Sequence, residues 1–150
     1  MMIKYRHVNI VAADWRKLAD FYCDALGCER VPPERDLSGD WIDQAVGVKG
    51  ARICGIHVRL PGHGENGTTI EILQYDKNES KALPPLANRE GFGHIAFEVD
   101  DVPTVMQKVL DHGGSKIGEI ATGYIEGAGQ DTLVYLADPE GNIVELQSWS

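Results

Sequence analysis

His7-Val8-Asn9-Ile10-Val11-Ala12-Ala13-Asp14 is met again, 87 residues further on, as His94-Ile95-Ala96-Phe97-Glu98-Val99-Asp100-Asp101. Histidine falls on histidine and aspartate on aspartate. Self-similarity at a fixed offset marks a repeated structural unit, so it governs how the rest of the chain is read. The same offset superposes Leu18 on Val105, Tyr22 on Val109 and Gly27 on Gly114. Each copy reads as an alternating strand, an aspartate placed to cap a helix, an amphipathic helix and a terminating glycine. Trp15, Leu18, Ala19, Tyr22, Ala25 and Leu26 follow the helical period in the first copy; Val102, Val105, Met106, Val109 and Leu110 follow it in the second. Pro103 stands in the first turn, where its missing N–H costs nothing.

Strand-like runs follow each helix. In the first half they are residues 51–60 and 68–75, joined by a glycine-rich loop; in the second they are 118–122, 132–137 and 142–147. Asp138-Pro139-Glu140-Gly141 joins the last two as a tight turn. Residues 76–90, with Pro84-Pro85 and many charges, read as a linker. Residues 31–50 have no counterpart in the second half. Trp41, Ile42, Ala45 and Val46 recur there at helical spacing, so a short helix is expected, as a lid or substrate wall or as a packing loop. The expected fold is α+β, a single domain over residues 1–150 built of two tandem βαβββ modules (about 1–76 and 91–150, with a linker over about 77–90) whose curved mixed sheet encloses a cleft.

With 150 residues, 43% hydrophobic and 25% charged, the chain has the make-up of an ordinary globular domain. No stretch approaches the apolar length of a membrane helix, and the N-terminal residues lack the apolar core of a secretory signal, so a cytoplasmic protein without a membrane partner is expected. A formal charge of -9 repels phosphate backbones and argues against nucleic acid as a partner. Cys23, Cys28 and Cys54 are odd in number and include no C-x-x-C pair, which suits reduced bystander thiols.

The repeat also aligns Thr69-Ile70-Glu71-Ile72-Leu73 with Ile143-Val144-Glu145-Leu146-Gln147, placing one glutamate inside an apolar strand of each module. Side chains alternate faces along a strand, so if Val8, Ile10, Ile70 and Ile72 pack under the helices, His7 and Glu71 face the other way. The same parity applies to His94 and Glu145. Imidazoles and carboxylates gathered on one face cost several kcal/mol to bury without a cation, which points to a divalent metal. Mixed imidazole and carboxylate donors suit Ni, Zn, Co, Mn or Fe. Tyr135, Asn9 and Gln147 are secondary candidates for the same face. For His57 and Arg59, which share a strand face, solvent exposure is the default, and His63 and His112 read as surface residues.

At these residues the chain resembles the vicinal oxygen chelate superfamily, which includes glyoxalase I, methylmalonyl-CoA epimerase, extradiol dioxygenases and the fosfomycin and bleomycin resistance proteins. The resemblance rests on the His7 strand, Phe21-Tyr22-Cys23-Asp24-Ala25-Leu26-Gly27, Gly93-His94-Ile95-Ala96-Phe97, and the stretch from Asp138 to Leu146. It implies a divalent metal held by His7, Glu71, His94 and Glu145, the pattern of glyoxalase I, with Glu145 as principal base and Glu71 as its symmetric partner. The activity implied is a metal-dependent lyase or isomerase that moves a proton next to a carbonyl of a small-molecule substrate through a metal-bound enediolate. It also implies a homodimer. His7, His94 and Glu145 would equally supply the 2-His-1-carboxylate set of an Fe(II) extradiol dioxygenase, and a non-catalytic, resistance-type binding protein is the third reading. Bacterial glyoxalase I carries an arginine four residues after its first ligand histidine, where this chain has Val11; Arg6, Arg52 and Arg59 are the arginines weighed as replacements.

Overall fold

Asp14 and Asp101 each start a helix by the same hydrogen bond. In the computed structural model of the chain, Asp14 Oδ1 accepts from the Lys17 backbone N–H at 3.2 Å and Asp101 Oδ1 from that of Thr104 at 3.5 Å. The structure describes residues 1–81 and 83–150; Ala82, inside the linker expected over about 77–90, lies outside the described residues. The chain divides into two compact units, Met1–Ser80 and Lys81–Ser150.

The first unit runs β1 (His7–Val11), α1 (Trp15–Leu26), β2 (Glu29–Ser38), α2 (Asp40–Val46), β3 (Arg52–Arg59) and β4 (Thr69–Tyr75). Gly27, at φ 71°, closes α1 in the left-handed conformation that glycine adopts without steric cost. The sheet order is β1-β4-β3-β2, with β1 parallel to β4 and the other pairs antiparallel. Helix α1 packs on β3 and β4, where Ile56, Val58, Ile70 and Ile72 are buried and the Trp15 N–H donates to Gln74 Oε1. Each such aliphatic side chain contributes about 1.5–3 kcal/mol on leaving water.

Residues 31–50 differ from the expectation. A strand, β2, occupies the first part, hidden in the sequence because it is an edge strand with a register shift between Val31 and Arg35 and no apolar alternation. The short helix is present as α2. Its Ile42 is buried with Ala51, Ile53 and Leu73, and Leu37 and Tyr75 pack on that cluster. Ile53 and Leu73 lie on the sheet face opposite α1, so α2 walls one end of that face, while its neighbour Trp41 stays 63% exposed.

The second unit runs β5 (Ile95–Glu98), α3 (Val102–Asp111), β6 (Ser115–Lys116), β7 (Ala121–Ile125), β8 (Gly129–Ala137) and β9 (Ile143–Trp149). Its order is β5-β9-β8-β6, with β7 also paired to β8, and β5 is parallel to β9. Helix α3 packs against β8 and β9. The terminating glycine is a pair. Gly113 takes the left-handed φ of 93°, whereas Gly114 is needed for space, since a Cβ there would lie 2.8 Å from the Ala137 carbonyl oxygen. The expected turn joins β8 to β9. Asp138, 2% exposed, accepts through Oδ1 from the N–H groups of Glu140 and Asn142 at 2.9 Å and through Oδ2 from Asn142 Nδ2 at 2.7 Å. Asp138→Ala strands these donors and is expected to lower unfolding free energy by about 2–4 kcal/mol, read from the urea midpoint; a loss under about 0.5 kcal/mol would contradict this role.

No helix of the described residues is long and apolar enough to cross a membrane. The cysteines are unpaired, and burial pushes the Cys28 thiol up to about 12, far from the thiolate range.

Candidate metal centre

The parallel strand pairs place the histidines and glutamates. In β1 and β4, Asn9 is opposite Glu71, so His7 lies two residues upstream of the Glu71 register position. In β5 and β9, Ala96 is opposite Glu145, so His94 stands at the same two-residue offset from Glu145. Cross-strand partners share a face, and here it is the face away from the helix in both units. The sequence alternation thus leads in each unit to one imidazole–carboxylate pair, although His94 itself immediately precedes β5 rather than lying within it.

In the first unit His7 Nε2 lies 3.5 Å from Glu71 Oε1. Asn9 Nδ2 donates to the Glu71 carbonyl at 2.9 Å and reaches Glu71 Oε1 at 3.4 Å. A third donor joins them. His57 is opposite Glu71 in the β3–β4 ladder, and its Nε2 lies 3.1 Å from Glu71 Oε2. The rings of His7 and His57 meet edge to face with centroids 5.2 Å apart, and one donor atom each from His7, His57 and Glu71 lie within 4.8 Å of one another. Solvent exposure is therefore the wrong reading for His57, whose side chain is 13% exposed. Local sequence could not show this, because facing Glu71 depends on the hairpin register across residues 60–68.

His57 is built as a ligand histidine usually is. Its Nδ1 lies 2.8 Å from Thr69 Oγ1, a hydroxyl able to accept from or donate to the ring and so to serve either tautomer. Burial holds its pKa below the ordinary imidazole range against the pull of the Glu71 carboxylate, with Arg35 and His7 adding to the depression. The ring is therefore neutral, the form that binds metals. Among the described residues nothing hydrogen-bonds the buried Nδ1 of His7; leaving such an atom unpaired costs roughly 1–3 kcal/mol, which a cation or a water would offset. Two imidazoles and one carboxylate, with a ring nitrogen left over, fit a divalent first-row ion.

In the second unit His94 Nε2 lies 2.7 Å from Glu145 Oε2, and Glu145 is 8% exposed. Tyr135, opposite Glu145 in the ladder, tilts its ring over His94 with centroids 4.8 Å apart. Burial, then the Glu145 charge, raises the Tyr135 pKa, so its phenol stays protonated and able to donate. Gln147 shares this face and accepts from Trp149 Nε1. Two other candidates are turned to structural use: Arg59 pairs with Glu29 at 3.3 Å, and His112 caps its own helix through the Lys108 carbonyl. His63 is exposed in the loop between β3 and β4.

Similarity to known proteins extends over nearly the whole chain. A "Probable lactoylglutathione lyase" from Synechocystis sp. is 29% identical over 140 residues, covering 93% of this chain and 91% of that protein. A crystal structure of a glyoxalase family protein from Bacillus cereus superposes with a TM-score of 0.82 at 18% identity, over 99% of this chain and 95% of that one. A fosfomycin resistance protein, FosX, from Listeria monocytogenes matches at 0.59 and 16%, over 100% and 96%. These two structures share the fold, two mixed sheets carrying βαβββ units. A profile of the Glyoxalase/Bleomycin resistance protein/Dioxygenase superfamily matches residues 4–146, and with that the chain belongs to this superfamily.

Proposed function

We propose that the protein is a metal-dependent lyase or isomerase of the glyoxalase type, acting on a small carbonyl compound. The observation that carries the reading is the matched pair: His7–Glu71 in one unit and His94–Glu145 in the other stand at the same register offset on the face away from the helix. The lactoylglutathione lyase relative supports the same class of reaction. His7, Glu71, His94 and Glu145 are the proposed ligands, with His57 beside the first pair. A divalent ion bound by them would polarise a carbonyl and offset the negative charge left when a neighbouring C–H proton departs.

The chain's own groups do the rest. Glu145 is the proposed base: desolvated at 8% exposure, it takes the proton from carbon through the carboxylate oxygen turned away from His94 and returns it to the adjacent carbon. Glu71, with Asn9 holding its backbone carbonyl, is its counterpart on the first unit. Tyr135 remains a phenol beside Glu145 and can donate a hydrogen bond to the substrate oxygen that gains charge. α2 and the exposed Trp41 form a wall at one end of the first unit's face. Homodimeric assembly and a cytoplasmic location belong to the same reading.

The test is solvent deuterium exchange at the carbon next to the carbonyl, followed by NMR with the methylglyoxal–glutathione hemithioacetal and with unconjugated hydroxycarbonyls. Exchange that a chelator abolishes and added metal restores is the expected result; metal-independent exchange, or none with any of these compounds, would overturn the reading. One observation favours a second reading. His7, His57 and Glu71 by themselves are a 2-His-1-carboxylate set, the donor set of Fe(II) oxygenases. Oxygen uptake with catechols after anaerobic iron loading would favour it.

A further inference from the structure

β2 and β3 carry four arginines, and three of them are spent on carboxylates. Arg30 pairs with Asp20, Arg52 with Asp36 and Arg59 with Glu29. Arg35 has no carboxylate within ion-pair reach among the described residues; its guanidinium donates only to the Pro33 carbonyl. It is nevertheless half-buried. A guanidinium partly withdrawn from water without a counter-charge is costly, and its planar fork of donors matches a carboxylate or phosphate that could supply the charge.

Register decides where Arg35 points. It is opposite Gly55, two residues before His57 on β3, so it shares the face of His57, Glu71 and His7. The ion pair of Arg52 with Asp36 is on the other face by the same alternation. Gly55 has no side chain to stand between Arg35 and that cluster. The guanidinium is also close enough to His57 for its charge to bear on the ring. On this face Arg59 and Glu29 cancel each other, so with a divalent ion among His7, His57 and Glu71 the Arg35 guanidinium and two metal charges would stand against the one carboxylate of Glu71, an excess of positive charge on a chain whose net charge is -9. Arg6, Arg52 and Arg59, the arginines weighed against Val11, differ from Arg35: Arg59 shares the face but is ion-paired with Glu29, Arg52 is ion-paired on the other face, and Arg6 is exposed ahead of β1.

We propose that Arg35 is the specificity residue of this site, taking an oxyanion, carboxylate or phosphate, carried by the substrate beyond the oxygens held at the metal. The substrate class is thus an anionic carbonyl compound rather than a neutral one. This rests on the metal reading above, and the experiment separates the two.

Full-length cobalt-loaded protein is titrated with three hydroxamates by calorimetry: neutral butyrohydroxamate, the carboxylate-bearing succinic monohydroxamate, and phosphonoacetohydroxamate. Wild type is expected to bind at least one anionic probe about tenfold or more tighter than the neutral one, the stronger of the two identifying carboxylate or phosphate. Arg35→Gln should erase that preference while leaving butyrohydroxamate affinity and the urea midpoint unchanged; Arg35→Lys should retain part of it. Equal binding of charged and neutral probes by wild type, or an undiminished preference in Arg35→Gln, would overturn the assignment of Arg35 alone. Absence of any cobalt-dependent binding of all three would overturn the metal reading, and Arg35's role with it.

Discussion

Replacing Gly55 by alanine is expected to destabilise the protein by about 3–5 kcal/mol, beyond the usual overpacking range and a large part of a typical domain's stability. A Cβ at this position would lie 2.1 Å from the Ile72 carbonyl oxygen, 2.7 Å from Leu73 Cδ2 and 2.9 Å from Leu73 Cα. Two of those atoms are backbone of the neighbouring strand, so no rotamer change relieves the contact; β3 and β4 must separate, at the cost of ladder hydrogen bonds. The left-handed conformation plays no part, as Gly55 is not among the positive-φ glycines. Because His57 follows two residues later and meets Glu71 across the same ladder, the variant should also lose metal affinity in whatever fraction folds. The urea midpoint and soluble yield check this; a midpoint within about 0.5 kcal/mol of wild type would show that the two strands do not approach as described.

Glu145→Gln is expected to reduce turnover by about 10²–10⁴-fold, the range lost with a general base, while Glu145→Ala should in addition lose bound metal. The side chain is 8% exposed and its Oε2 lies 2.7 Å from His94 Nε2, so the amide keeps the volume and removes the charge, whereas alanine also leaves His94 without its partner. His112→Ala, at the exposed end of α3, is the control expected to behave as wild type. Elemental analysis and deuterium exchange on the three variants separate the roles. A Glu145→Ala protein with its full metal complement would remove Glu145 from the ligand set, and an unimpaired Glu145→Gln would remove it as base.

What could be read in the sequence was whatever local chemistry decides. The caps at Asp14 and Asp101 and the Asp138 turn are satisfied by neighbours within four residues, the stripe of α1 follows from its own helical period although β3 and β4 bury it, and all of them stand in the structure as read. The repeat matches His7 with His94 and Glu71 with Glu145, long-range information that a single copy lacks, and strand parity puts each histidine on the face of its unit's glutamate, where His7 meets Glu71 and His94 meets Glu145. β2 was hidden because Glu29–Ser38 pairs on one side only and carries Pro32-Pro33 at its register shift, so no alternating apolar pattern is required of it. His57 and Arg35 were hidden for a different reason. Their parity is plain, but which strand each faces depends on registers set by the loops before and after β3, and nothing in the residues themselves announces it. Gly114 aligns with the terminating Gly27, yet its neighbour Gly113 supplies the left-handed turn, and Gly114 clears the Ala137 carbonyl and Val109.

Whether a divalent metal is held at these histidines and glutamates is read by elemental analysis of untagged protein purified without chelator. About one first-row divalent ion per chain is expected in wild type, with a large loss in His7→Ala and Glu145→Ala. Protein that turns over substrate with no metal, or retains the same metal content in both variants, would contradict that expectation.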